Sequence, residues 1–174
     1  MAYLVVAYPN ISQKSLNWIQ NYRKENDPRF YSMVNPHFTI VFPISAFSKD
    51  DFVAEIKKQT EGLKKIDFEI KISTINQDIS GGYYHEFLVP DKGYSDIIRL
   101  HDKLYSGVLA KHMRLDIDFI PHISIGNADD AQESKRRVDA LNRQEIDIEG
   151  VIDILDIIEY DESSVWTIEN IALD

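Results

Sequence analysis

The chain of 174 residues has no cysteine. That absence removes a disulfide framework, a thiolate zinc site and a cysteine nucleophile together. Glycine and proline are scarce, at seven and six residues, too few for a collagen-like or disordered chain. No apolar run approaches the roughly 18 residues read as a membrane-crossing helix. The opening Met1-Ala2-Tyr3-Leu4-Val5-Val6-Ala7 lacks the basic start of a secretion signal and reads as a strand. A cytoplasmic protein with no membrane partner is the expectation. Positive charge is also in short supply: 19 Lys and Arg stand against 29 Asp and Glu, a formal charge of −10. Proteins that track long nucleic acid carry a basic stripe, and the densest basic stretch here is only Lys135-Arg136-Arg137. Long nucleic acid is therefore not an expected partner.

Apolar residues make up 44%, enough for a single domain over 1–174, since roughly 100–200 residues make a domain. A strand over 4–8 stops at Pro9-Asn10. Ile11, Trp18, Ile19 and Tyr22 then follow helical spacing until Asn26-Asp27-Pro28. A strand over 37–44 comes next, followed by a helix from Ser48 with Phe52, Val53, Ile56 and Leu63 on its apolar face. Ile66, Phe68, Ile70 and Ile72 alternate with polar residues, as in a half-buried strand. After Gly81-Gly82 the order restarts. A strand over 83–89 stops at Pro90-Asp91, and Ile97, Leu100, His101, Leu104 and Val108 share one helix face. A strand over 119–125, a helix around Ala131, Val138 and Leu141, and strands from Ile146 and over 165–171 complete the chain. The acidic residues over 145–162, ending at Glu162, alternate with Ile and are expected as the solvated face of a sheet. Two copies of one order are too few for a solenoid; they suit two lobes facing each other across a cleft.

The most informative feature is a duplicated pentapeptide, Pro36-His37-Phe38-Thr39-Ile40 against Pro121-His122-Ile123-Ser124-Ile125. Residues two apart on a strand share a face. His37 with Thr39, and His122 with Ser124, therefore point one way while the apolar residues pack the other. Proline is tolerated at a strand's first position. Two imidazoles and two hydroxyls in mirrored positions suit phosphodiester cleavage. One neutral ring takes a proton from the attacking hydroxyl or water, and one protonated ring gives a proton to the leaving oxygen. An unperturbed pKa of about 6.5 fits histidine for both tasks. The hydroxyls would donate to the non-bridging oxygens as charge gathers there.

The paired His-x-Thr/Ser motifs, with the stretch from Glu86-Phe87-Leu88-Val89-Pro90 to Phe119-Ile120-Pro121-His122-Ile123-Ser124-Ile125-Gly126, resemble the two-histidine (2H) phosphoesterases. That superfamily includes the 2′,5′-RNA ligase (LigT-like) proteins and the cyclic phosphodiesterases. The resemblance covers nearly the whole chain. It implies an α+β, bilobal fold with two antiparallel sheets around a central cleft and helices outside. It also implies that His37 and His122 are catalytic, that Thr39 and Ser124 bind phosphate, and that no metal or other cofactor is needed. The expected substrate is a 2′,3′-cyclic phosphate or 2′,5′-linked nucleotide or RNA terminus, acted on by a monomer. Ligation is the same chemistry reversed, and pseudo-symmetry makes either ring eligible as base or acid. The alternative from another class is a non-catalytic module that holds a nucleotide or RNA end. Many relatives carry an Arg shortly after the second motif, where this sequence has Gly126-Asn127.

Other residues are weighed alongside. His85 shares a strand face with Tyr83 and Phe87 and is a candidate substrate contact; with His37 and His122 it could also complete a three-histidine zinc site, but no close-spaced ligand pair supports one. Tyr83, Tyr31 and Tyr84 are candidates for stacking a base. Alternation puts Phe42 in the core with Phe38 and Ile40. Arg29, Lys14 and Arg99 are candidates for a phosphate contact. His101 is expected to pack in the core, and His112 to lie in an exposed linker.

Overall fold

Three of the four α-helices among the described residues begin where a short polar side chain can take up an otherwise unpaired N–H. Ser12 opens α1 (Gln13–Asn26) by accepting from Ser15, Ser48 opens α2 (Lys49–Thr60) by accepting from Asp51, and Asp130 opens α4 (Ala131–Asn142) by accepting from Glu133. The remaining helix, α3 (Tyr94–Leu104), starts instead at Gly93, whose φ of 84° turns the chain sharply. A Cβ there would lie 2.6 Å from the Asp67 carbonyl oxygen, so the turn needs glycine. The computed structural model describes residues 1–161 and 164–174; Glu162, at the end of the acidic run, lies outside them.

The strands are β1 (Ala2–Ala7), β2 (Asn10–Ile11), β3 (Phe38–Ile44), β4 (Ile66–Gln77), β5 (Tyr84–Lys92), β6 (Ile123–Ala128), β7 (Ile148–Ile152), β8 (Ile154–Tyr160) and β9 (Val165–Ala172). They form one antiparallel ladder in the order β2-β7-β4-β5-β6-β3-β1-β8-β9. The expected pair of separate sheets is thus replaced by two wings of a single sheet. The join lies between β3 and β6, where Phe38 pairs with Ile123. Both side chains are fully buried, each stabilised by about 1.5–3 kcal/mol of apolar burial, so the junction is closed from the core side. The sequence halves are also interleaved. β4 leaves the first half to pair with β5 of the second, and β8 leaves the second to pair with β1 of the first.

The helices exchange in the same manner. α1 packs on β6, and α3 packs on β3. Ile19 of α1, with Ile97, Leu100 and Leu104 of α3, joins Phe38, Ile40, Ile123 and Ile125 in the core. The opposite face of β3 and β6 is left to a cleft. Two local differences from the sequence expectation affect it. The second motif strand begins at Ile123, not near Phe119, because 119–122 run as a loop. Ile11 belongs to the edge strand β2, opposite Gly150, and not to α1. Among the described residues no helix is long and apolar enough to cross a membrane.

Candidate functional site

The register at the junction brings the duplicated motifs together. Phe38 stands opposite Ile123 in an antiparallel pair; carried one residue each way, this register sets His37 opposite Ser124 and Thr39 opposite His122. All four belong to the face away from the core. Directly opposed Cβ atoms lie about 4.5–5.5 Å apart and diagonal ones roughly 7–8 Å. The two histidines are the diagonal pair, near enough for the charge of His37 to act on His122. All four residues line a single cleft of about 510 Å³, a size usual for small-molecule sites.

Each imidazole is oriented by the same device. His37 Nδ1 lies 2.7 Å from the Asn35 carbonyl oxygen, and His122 Nδ1 lies 2.5 Å from that of Ile120. A carbonyl only accepts, so Nδ1 carries the proton in both rings. Nε2 of each neutral ring therefore keeps its lone pair. Both histidines sit one residue before their strands, where the chain can curl back to make this contact.

Burial pushes the pKa of both histidines down. For His122 the fall reaches about 4: desolvation outweighs the Ile120 carbonyl, and the nearby His85 and His37 add to it. For His37 burial again leads, opposed by the Asn35 carbonyl, with Arg23 lowering and Asp27 raising. The desolvation of His122 has a visible source, since its ring stacks on Phe87 at 3.5 Å between centroids. A cation sandwiched against that apolar face would lose water on one side.

Phe87 belongs to a column of rings along β5. His85 stacks on Phe87 at 5.2 Å and meets Tyr83 edge-on at 4.9 Å. His85 Nε2 donates to Asp78 Oδ2 at 3.0 Å. Burial raises the Asp78 carboxyl, but hydrogen bonds from Ser80, His85 and Tyr83 outweigh it and hold the pKa down at about 2. His85 thus lines the cleft as the partner of a permanent carboxylate, differently held from the motif histidines. Among the described residues no three His, Asp or Glu side chains converge to hold a metal ion.

Other candidates fare unevenly. Tyr83 stacks under the Arg29 guanidinium, 4.3 Å from ring centre, and Tyr31 is exposed beside Arg23. Neither they nor Tyr84 are among the cleft-lining residues. The lining aromatics are Phe30, Phe42, Phe87, Phe119 and Tyr160. Phe42 escapes the expected core because β3 slips twice against β1: Tyr3 pairs with Ile44, Val5 with Val41 and Val6 with Thr39. Each irregularity disturbs the alternation, and an extra residue turns later side chains to the other face. Arg29 is bound to Asn127 and Asp129 at 2.9 and 2.6 Å. Arg99 pairs with Asp96, and Lys14 is exposed on α1; none of the three lines the cleft. His101 packs in the core as expected, bonded to the Ile40 carbonyl and stacked on Phe119. His112 is half-buried against Phe47 instead of lying in an exposed linker.

Sequence reading missed Arg23 and Asp27. Arg23 is 2% exposed and donates to Asp27, Gln20 and the carbonyls of Phe30 and Val34. It thereby fixes the loop that presents Asn35 and His37. The i, i+4 spacing of the two charges at a helix end was the available signal. Asn127, just after the second motif, donates to Asp27 at 2.6 Å, so that position braces the same loop.

Comparison with known proteins agrees with this architecture. A phosphoesterase of Bacillus licheniformis, named as putative, is 25% identical over 171 residues, covering 97% of this chain and 95% of its own. One of Geobacillus kaustophilus, named likewise, is 26% identical over 171 residues, covering 97% and 93%. Among crystal structures, Escherichia coli LigT complexed with 3′-AMP superposes with a TM-score of 0.60 at 14% identity, over 99% of this chain and 97% of LigT. TT0787 of Thermus thermophilus gives 0.62 at 10% identity, over 99% and 98%. These structures share the fold. A sequence model of the 2′-5′ RNA ligase superfamily matches residues 11–164, which spans both motifs and most of the sheet, and the chain therefore belongs to that superfamily of 2H phosphoesterases.

Proposed function

We propose that the chain is a phosphodiesterase that cleaves a 2′,3′-cyclic phosphate or a 2′,5′-linked nucleotide or RNA terminus by acid–base catalysis from His37 and His122. The observation that carries this reading is the four-residue arrangement around Phe38 and Ile123, with each Nδ1 occupied by a carbonyl and each Nε2 left available. Water attacks phosphorus as His122 Nε2 takes its proton. The phosphorus–oxygen bond to the leaving ribose oxygen breaks as His37 Nε2–H supplies that oxygen with a proton. Thr39 and Ser124 donate to the non-bridging oxygens. His122 suits the base, its neutral form persisting into acid down to about 4. A bound phosphate anion raises the pKa of both rings, favouring the protonated acid His37 in the complex. Both proton transfers run on imidazoles, so the mechanism asks nothing of a metal.

The test is a panel of 2′,3′-cyclic, 3′,5′-cyclic and 2′,5′-linked nucleotides assayed with EDTA present. Turnover of the first or last class, lost in both His37→Ala and His122→Ala with folding intact, is the expected result. Turnover that survives both substitutions, or that stops on chelation, overturns it.

A further inference from the structure

We propose that the cleft selects a phosphodiester with a single negative charge on an apolar or aromatic body, and discriminates against a substrate that carries a second phosphate. The inference rests on the reading above, that His37 and His122 flank the phosphoryl group. It comes from the charges that line the cleft. Arg23 is the one Lys or Arg among the described lining residues, against Asp27, Asp78, Asp116 and Asp118. Arg23 is spent: buried, it is held by Asp27, Gln20 and two backbone carbonyls.

Two arginines outside the lining are committed as well. Arg114 grips Asp116 with two hydrogen bonds of 2.7 Å. Arg29 is bonded to Asn127 and Asp129 and lies flat on Tyr83. The histidines, which burial makes hard to protonate, can match one phosphate charge. A second phosphate would meet no free Lys or Arg among the described lining residues, and would have Asp118, which has no cation bonded to it among them, as a neighbour. Like charges a few ångströms apart near a protein surface repel appreciably, even when screened. The walls offer a different kind of contact. Leu4, Val6, Phe30, Met33, Phe42 and Phe119 also line the cleft, and such surfaces receive a nucleobase or another flat apolar group. The net charge of −10 extends the same bias outward, disfavouring polyanions before contact.

The experiment compares 2′,3′-cyclic AMP with its 5′-phosphorylated form. The 5′-phosphate is expected to lower kcat/KM about tenfold or more, chiefly through KM, with the gap narrowing as salt rises. Asp118→Arg is expected to narrow the gap at low salt. Equal or better turnover of the 5′-phosphorylated compound overturns the inference, as does a gap indifferent to salt. If neither compound is cleaved, the phosphodiesterase reading fails separately, and calorimetric binding of the same two compounds decides this one. Tighter binding of the singly charged compound supports it. Equal binding, the reverse preference, or no binding of either overturns it.

Discussion

Because Asn35 and Ile120 hold the Nδ1 protons, removing either imidazole takes away a proton carrier while leaving Phe38 and Ile123 in place. His37→Ala and His122→Ala should each lower kcat by about 10²–10⁴-fold, with circular dichroism unchanged. Thr39→Val and Ser124→Ala should cost less, roughly tenfold to a hundredfold, since each removes one donor to a shared anion. The pH profile follows from the directions of the shifts. With His122 as the proposed base and His37 as the proposed acid, catalysis from the free enzyme needs the first neutral and the second protonated. kcat/KM should be bell-shaped, with one limb near 4, where His122 changes protonation, and the other below 6.5, where the depressed His37 does. Replacing the stacked ring in Phe87→Leu relieves desolvation of the His122 cation. The acidic limb should then move up by a measurable fraction of a unit, and an NMR titration of His122 should move with it. An acidic limb that stays put would remove Phe87 as the cause.

Between residue and fold stands the loop from Asp27 to His37, which Arg23 ties to α1. Arg23→Met leaves Asp27 buried with its counter-ion gone and two carbonyls without their donor. Breaking a buried pair on one side costs about 3–5 kcal/mol. Thermal unfolding should shift accordingly, and kcat should fall although no atom of Arg23 is asked to touch substrate. On the second motif strand, a Cβ at Gly126 would stand 2.4 Å from Glu86 Oε2. That carboxylate is wholly buried and accepts from Tyr22 and Ser134. Gly126→Ala should therefore destabilise by about 1–3 kcal/mol through overpacking, measured by denaturant unfolding. A neutral effect would show that the Glu86 network yields.

Over the molecule, the depressed histidines link stability to acid. His37, His101 and His122 have folded pKa values below the unfolded value near 6.5. The unfolded chain takes up protons there that the folded chain refuses, so their contribution is complete above 6.5 and is lost as pH falls toward about 4. Asp78, held down at about 2, adds a second loss, from its unfolded value near 3.8 down to about 2. Tm should fall in two stages between pH 7 and pH 2. His122→Gln should flatten the first stage, whereas an unchanged slope would assign that stage to other groups.

Much of this was legible along the chain. Period-two alternation, helical spacing, the Ser48 cap and the stops at Pro9 and Pro28 located most elements, although β5 runs through Pro90 to Lys92, and duplication of a five-residue pattern marked His37, Thr39, His122 and Ser124, because each of those signals lies within a few residues. The misplaced features share a cause. Phe42 faces the cleft because β3 slips against β1, and such an irregularity depends on two paired strands. His85 finds Asp78 across a hairpin, Arg23 finds carbonyls in a folded-back loop, and β4 and β8 cross between halves. Residue type and spacing determined which side chains could do proton chemistry. Only the folded backbone decided which nitrogen each ring keeps available, how far burial depresses its pKa, and which cations remain free, since all three depend on neighbours brought close in space.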